Sequence, residues 1–333
     1  MVDFQPEKNL ILRYYRALDS AHPGGDSEAM TEFVTRDFRW KGYAPFGELQ
    51  GPREVGDRFW GPLKSSFRRM QRRQDVFFAG KNQMDDFQSI WVVSMGHLMG
   101  LFDETWLGIR PTRKLSMLRY CEFNRVADGR ITEAAMFFDI PHLMAQAGQD
   151  PFGPQTGAFL VHAGPMPHSG LLFDPQQTEE GEKTLATINA MIGDLGQWKS
   201  GLPLEDELAR TWHDDMVWWG PHGIGATYTI QRYAKQHSGP FRAAFADRSS
   251  TGHVARLAEG NFGGFFGWPN FTARHLGGFM GMPATRGPGE FRVIDIYRRD
   301  GDKLAENWVF IDLLHFWQTQ GVDILARATE IGK

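Results

Sequence analysis

A chain of 333 residues has room for two domains of ordinary size, and a composition of 41% hydrophobic and 23% charged residues is that of a globular protein, not a disordered one. A net charge of −4 argues against a nucleic-acid surface, which needs a concentrated positive face. The single cysteine, Cys121, excludes an internal disulfide framework and fits a reducing compartment. The opening residues carry no basic segment followed by an apolar run, and no stretch reaches membrane-spanning length, so a cytoplasmic location with no membrane partner is expected.

In chain order, helical spacing of apolar residues predicts helices over Leu10 to Leu18 and Ser27 to Val34, with Ser27 as an N-cap. A short aromatic strand follows at Phe38 to Trp40, then a helix over Pro52 to Met70. Long strands are expected at Ser89 to Met99, Leu115 to Arg125 and Ile131 to Phe138, and a short helix at Ile140 to Ala147, closed by Gly148. The run Asp150 to Gln177 is dense in Gly and Pro and reads as a linker. Its Phe152, Phe159, Leu160, Leu171, Leu172 and Phe173 are apolar, so it should pack across both domains or act as a lid. After it the order repeats. Helices are expected over Glu179 to Gly196 and Leu204 to Trp212, a strand at Val217 to Trp219, and a helix over Ile230 to Ala246. Strands then cover Gly263 to Arg274, Phe291 to Arg298 and Leu304 to Ile311, with a last helix at Leu313 to Gln320.

The repeat is written in residues as well as in elements. MFFDIPHLMAQAG, from Met136, returns as VFIDLLHFWQTQG, from Val309. At one constant offset Asp139 meets Asp312, His142 meets His315, Glu133 meets Glu306, and Glu122 meets Asp295. Helices grouped ahead of strands joined by short turns give an α+β class with an antiparallel sheet. The expected layout is a domain at residues 1–149, a linker at 150–178 and a second domain at 179–333.

The segments TWLGIRPTRKLSMLRYCEFNR with GRITEAAMFFDIPHLMAQAG, and GFMGMPATRGPGEFRVIDIYR with DKLAENWVFIDLLHFWQTQG, resemble the SnoaL-like domain. That family is the polyketide-cyclase branch of the nuclear transport factor 2-like fold. The resemblance covers most of both halves and implies two tandem cones, each a curved antiparallel sheet wrapped on N-terminal helices. It implies a small-molecule pocket and general acid/base chemistry with no metal or organic cofactor, the acid falling on Asp139 and Asp312. It also implies an intramolecular pseudo-dimer of the two domains, open to further homo-oligomerisation. The Glu-x-Trp-x-x-x-Asp pattern is complete at Glu306, Trp308 and Asp312, whereas Ala135 stands in the tryptophan's place in the first half.

Strand alternation places Glu306, Trp308, Phe310 and Asp312 on one face, and Glu133, Ala135, Phe137 and Asp139 on its counterpart. A carboxylate ending an aromatic face has a raised pKa through desolvation, which suits proton transfer near neutrality. His142 and His315, three residues on, reach the same side of the helix start. Beside this stands a purely structural reading, because Asp at a strand-to-helix junction is a favoured N-cap. Trp40, His97, Trp218, Arg274, His275 and Trp308 are the candidate substrate-binding residues. Core packing is the alternative for His97 and for the tryptophans. Arg274, if inward, calls for Glu306 or Asp295 as its partner. The run RRMQRR at Arg68 to Arg73 reads as a solvated helix face, and WHDDMVW lacks the second His of a metal site.

The functional expectation is a cofactor-independent enzyme acting on a small carbonyl-bearing molecule by cyclisation, isomerisation or elimination. Its rivals are an epoxide or lactone hydrolase in the same pocket and a non-catalytic ligand-binding protein. Trp308 and Arg274 favour the second half as the active one.

Overall fold

The computed structural model describes residues 3–196, 201–285 and 287–331. The chain divides into two compact units, each carrying its own sheets. The first unit takes Asp3–Pro151, Met166–Pro175 and the segment from Asp323 onward; the second takes Phe152–Pro165 and Gln176–Val322. The Gly/Pro-rich run is therefore divided between the units, and the chain's last helix belongs with the first unit.

In the first unit, α1 (Gln5–Ser20) buries Leu10, Ile11, Tyr14, Tyr15 and Leu18, the stripe its sequence spacing predicts. Then come α2 (Asp26–Thr31), β1 (Val34–Gly42), β2 (Gly47–Gln50) and α3 (Gly51–Val55). A π-helical turn at Gly56–Trp60 leads into α4 (Gly61–Ser66). Strands β3 (Phe67–Lys81), β4 (Ile90–Phe102), β5 (Leu115–Ala127) and β6 (Arg130–Phe138) precede α5 (Ile140–Gln146). The sheet order is β2-β1-β6-β5-β4-β3, antiparallel except where β1 runs parallel to β6.

One expectation here is corrected. The helix thought to reach Met70 ends at Ser66, and the arginine run lies on β3, paired with β4. A bulge at Arg69, with φ of 53°, resets the alternation. Arg68 and Arg73 stay exposed while the Arg72 side chain, 3% exposed, turns into the domain.

The second unit repeats the plan with α6 (Thr178–Gly196), α7 (Leu204–Ala209), β7 (Trp212–Trp219), β8 (Ala226–Tyr228) and α8 (Ile230–Tyr233). A π-helical turn at Ala234–Ser238 and α9 (Gly239–Ala244) follow. Here the strands matching β3, β4 and β5 are each cut in two. The pieces are β9 (Phe245–Ser250) and β10 (Ala255–Glu259), β11 (Phe262–Phe266) and β12 (Phe271–His275), β13 (Pro288–Phe291) and β14 (Val293–Asp300). β15 (Lys303–Ile311) and α10 (Leu313–Thr319) close the unit. The pieces form a six-stranded sheet, β10-β11-β14-β15-β7-β8, and a three-stranded one, β13-β12-β9.

The cut has a local cause. Pro269 has no N–H to give the ladder. Its neighbour Asn270 steps in, its side-chain oxygen accepting from the Val293 N–H at 2.7 Å while its own N–H donates to the Phe291 carbonyl at 2.8 Å. Arg292, excluded from the ladder, lays its guanidinium 3.7 Å from the centre of the Trp268 ring. The sheet thus breaks between Phe291 and Val293, and both residues face the cavity described next. The last helix, α11 (Ile324–Glu330), packs within the first unit, where Gln149 donates to the Ala328 carbonyl at 3.0 Å and Arg110 to that of Ile331 at 2.7 Å.

Candidate active site

The second unit holds a cavity of about 130 Å³ between its sheets and its helices. Alternate residues of β14, Val293, Asp295 and Tyr297, line it, as do Asn307, Val309 and Ile311 of β15. The opposite wall comes from α6 and from the α8, π-turn and α9 stretch, which supplies Tyr233, His237, Phe241 and Arg242.

Asp295 is the acid of this cavity. It lies deep in the domain yet keeps part of its surface exposed to the cavity. Burial raises its pKa from 3.8 to about 7, since a desolvated carboxylate is costly. Hydrogen bonds hold the shift back: the Asn307 amide donates to Asp295 Oδ1 at 3.1 Å, and the Tyr297 hydroxyl donates to the same carboxylate. His237, on the π-helical turn, stacks on Trp218 with ring centres 3.9 Å apart. Burial drives its pKa down to about 3, so the imidazole is neutral at physiological pH. Arg248 enters from β9 with its guanidinium 4.6 Å from the centre of the Phe271 ring.

The first unit has a different interior. At the position matching Asp295, Glu122 accepts from the Tyr15 hydroxyl at 2.7 Å and lies 4.0 Å from Arg72. Arg72 also pairs with Asp19 at 3.1 Å, and its guanidinium lies 4.0 Å from the centre of the Tyr15 ring. Ser94 and Tyr120 share a 2.9 Å hydrogen bond, and Gln74 donates to Ser94 at 3.0 Å. Burial raises the Glu122 pKa too, but Glu122 is 1% exposed and enclosed by these groups. A side-chain network occupies the space that is open beside Asp295.

Residues 11–134 match the SnoaL-like domain family, and residues 233–319 match the SnoaL-like polyketide cyclase family. The chain carries two SnoaL-like domains in tandem. Both have the expected mixed α+β architecture, helices ahead of a curved, largely antiparallel sheet. Family membership supports a cyclase- or isomerase-type function at that level of generality. Among similar solved structures is a candidate SnoaL-like polyketide cyclase from Jannaschia sp. CCS1, 19% identical, covering 44% of this chain and 93% of that one with a TM-score of 0.37. IdmH, a candidate polyketide cyclase from Streptomyces antibioticus, is 22% identical over 43% of this chain and 99% of its own, with a TM-score of 0.34. AclR, a candidate hydroxylase from Streptomyces galilaeus, is 16% identical over 45% and 86%, with a TM-score of 0.36. No curated protein matches the chain.

Within the SnoaL-like domains the sequence-predicted residues fall as follows. Asp139 caps α5, accepting from the His142 N–H at 3.2 Å, with Arg119 at 3.9 Å. Asp312 caps α10, accepting from the His315 N–H at 3.0 Å. The His142 ring accepts from the Gln146 amide at 2.9 Å, and the His315 ring lies 2.9 Å from Glu290. Trp40 packs on Phe46 and Phe59, and His97 lies 3.4 Å from Asp75. Arg274 is exposed and pairs with Asp247 at 2.7 Å, neither with Glu306 nor with Asp295 as expected. His275 is buried among Phe245, Phe279 and Trp317. Trp308 donates from its indole N–H to the Ala163 carbonyl at 2.9 Å, and Glu306 binds Arg298 at 2.5 Å. Of the ten residues singled out, Trp218 is the one found among the described residues of the cavity wall.

The correction is one of strand phase. Glu306, Trp308, Phe310 and Asp312 occupy the face of β15 opposite to the cavity, and Asn307, Val309 and Ile311 face inward. A one-residue error in phase moves every side chain to the other side. Sequence patterns single out Asp295 only as the match of Glu122 and as a partner for Arg274, and do not single out Tyr297, Asn307, His237 or Arg248. A signal was present for the first: an acid inside the apolar run Val293-Ile-Asp-Ile-Tyr297, matched by Glu122 at the repeat offset.

Proposed function

We propose that the second SnoaL-like domain is a cofactor-independent acid/base enzyme acting on a small carbonyl-bearing organic molecule, with Asp295 as the proton-transfer group. The observation that carries this reading is a carboxyl on the wall of an apolar cavity, its pKa lifted to about 7 by burial and its orientation fixed by Asn307 and Tyr297. Such a group is close to evenly divided between acid and base at neutral pH, the condition under which one side chain both takes and returns a proton. As a base, the Asp295 carboxylate removes a proton from the carbon next to a carbonyl. The C–H electrons move into an enolate, and the same carboxyl then delivers the proton to the product. Neutral His237 is a polar group of the same wall that can hydrogen-bond the developing oxyanion.

Cavity size indicates how much of a substrate the pocket can enclose. A dry cavity of ~150 Å³ takes benzene, so about 130 Å³ suits one ring or a short branched chain. The first domain, its matching acid enclosed by Tyr15 and Arg72, has a supporting role in this reading.

The test follows proton exchange. The full chain is incubated in D2O with a panel of single-ring and short-chain ketones, and deuterium entry at the carbon beside the carbonyl is read by NMR. Wild type should accelerate exchange and Asp295→Asn should not, while Asp139→Asn and Asp312→Asn retain it. Undiminished exchange in Asp295→Asn would overturn the assignment.

A further inference from the structure

We propose that the substrate of this cavity reaches past Phe241 into a second, outer chamber, where it presents an uncharged hydrogen-bonding group to Gln236; the inference deepens the acid/base reading above and rests on it for the carbonyl end. The outer chamber, of about 90 Å³, belongs to the same unit and shares two wall residues, His237 and Phe241, with the cavity of Asp295. The Phe241 ring is the partition. Its centre lies 5.6 Å from that of Phe291 and 6.4 Å from that of Phe271 on the inner side, and 5.7 Å from that of Phe279 on the outer side. A molecule held at Asp295 therefore meets the outer chamber across the width of these two shared residues.

Fixed contacts hold the outer wall in place. Pro154 and Thr156, from the Gly/Pro-rich run, form one side of it. That segment is tied to the end of the sheet: the Gly157 N–H donates to the Ile224 carbonyl at 2.8 Å, and Ala158 and Ala226 exchange backbone hydrogen bonds at 2.8 and 2.9 Å. The Thr156 hydroxyl donates to the Gln236 carbonyl at 2.5 Å, and the Gln155 side chain accepts from the Gly223 N–H at 3.0 Å. The loop Gly278 to Gly281 closes the other side, with the Gly278 N–H donating to the Met282 carbonyl at 2.8 Å. The chemistry of this wall selects its occupant. Among its described residues none is charged, and burial keeps His237 neutral, so a carboxylate or ammonium entering here would shed water without gaining a counter-charge. Gln236 is half-buried, and its side-chain amide is bonded to none of the described residues, which leaves a donor and an acceptor for a ligand. The substrate class is therefore an elongated neutral carbonyl compound, with a ring or short chain beside Asp295 and an amide or hydroxyl group a few atoms beyond it.

Calorimetry on the full chain with acetophenone, and with its meta and para carboxamides and carboxylates, separates the outer group from the ring. At least one carboxamide should bind wild type about tenfold more tightly than acetophenone, the equivalent of ~1.4 kcal/mol, and its carboxylate counterpart should show no such gain. Gln236→Ala should cancel the gain while acetophenone still binds, which shows an intact inner cavity. Thr156→Trp, which fills the chamber from an exposed position, should cancel it as well, with Pro154→Trp in its place if that variant does not fold. No gain from any carboxamide, an equal gain from the carboxylate, a gain that survives in either variant, or acetophenone affinity that falls as far as the carboxamide's would overturn the proposal. The acid/base reading fails separately. If Asp295→Asn keeps proton exchange, that reading falls, whereas the carboxamide gain reports on the outer chamber alone.

Discussion

Replacing Asp295 by Asn should stabilise the second domain, and increasingly so as pH rises. A buried acid raised from 3.8 to about 7 binds its proton more tightly in the folded than in the unfolded chain. Below the unfolded value both states hold the proton and nothing is lost. As pH rises from 3.8 toward 7, the unfolded chain ionises first and gains free energy that the folded chain does not share. At ~1.4 kcal/mol per pH unit, the cost to wild type grows from about 0.5 kcal/mol at pH 4 to about 3 kcal/mol at pH 6 and about 4 kcal/mol at pH 8, and levels off above the folded pKa. Asparagine keeps the shape and does not titrate, so it escapes this cost. Urea titrations of wild type and Asp295→Asn at pH 4.5, 6 and 8, followed by tryptophan fluorescence, give the difference directly, and a fixed offset from rearranged hydrogen bonds drops out of the comparison. A stability difference that stays flat across these pH values refutes the reasoning, because it would mean that the acid is not held neutral by its surroundings.

Four other outcomes follow from the geometry. If Asp295 is the base, kcat/KM should fall about tenfold per pH unit below about 7, a limb that a pH-rate profile on any turned-over ketone would show or lack. Asp312→Ala removes a helix cap and should cost about 1 kcal/mol, measured by urea unfolding, with proton exchange unchanged. Asp139→Ala should cost more, about 3 kcal/mol, because Arg119 is 4% exposed and loses the carboxylate beside it. Arg72→Met strips the first domain of the cation beside Glu122 and Asp19 and should destabilise that domain by about 3 kcal/mol, while exchange in the second domain persists; loss of exchange in a folded variant would contradict the asymmetry between the two cones.

Sequence alone determined what depends on neighbours along the chain or on self-comparison. The repeat, the α+β order and the helix starts at Asp139 and Asp312 are all of this kind, and a cap joins groups only three residues apart, such as Asp312 and the His315 N–H. Tertiary structure decided what depends on which surface is covered. On β15 both faces are apolar, Trp308 and Phe310 on one and Val309 and Ile311 on the other, so alternation offers no contrast from which to read the inward side. The packing of α6 and α9 against one face settles it and makes Asp295, not Asp312, the acid of the cavity. The Arg69 bulge likewise turns Arg72 inward from a run that reads as solvated, and it fills one cone beside Glu122. In the other cone the break at Pro269 and Arg292 opens the sheet next to Asp295. Two copies of one pattern thus differ in their interiors, because the surroundings of an interior acid depend on what non-local packing leaves beside it.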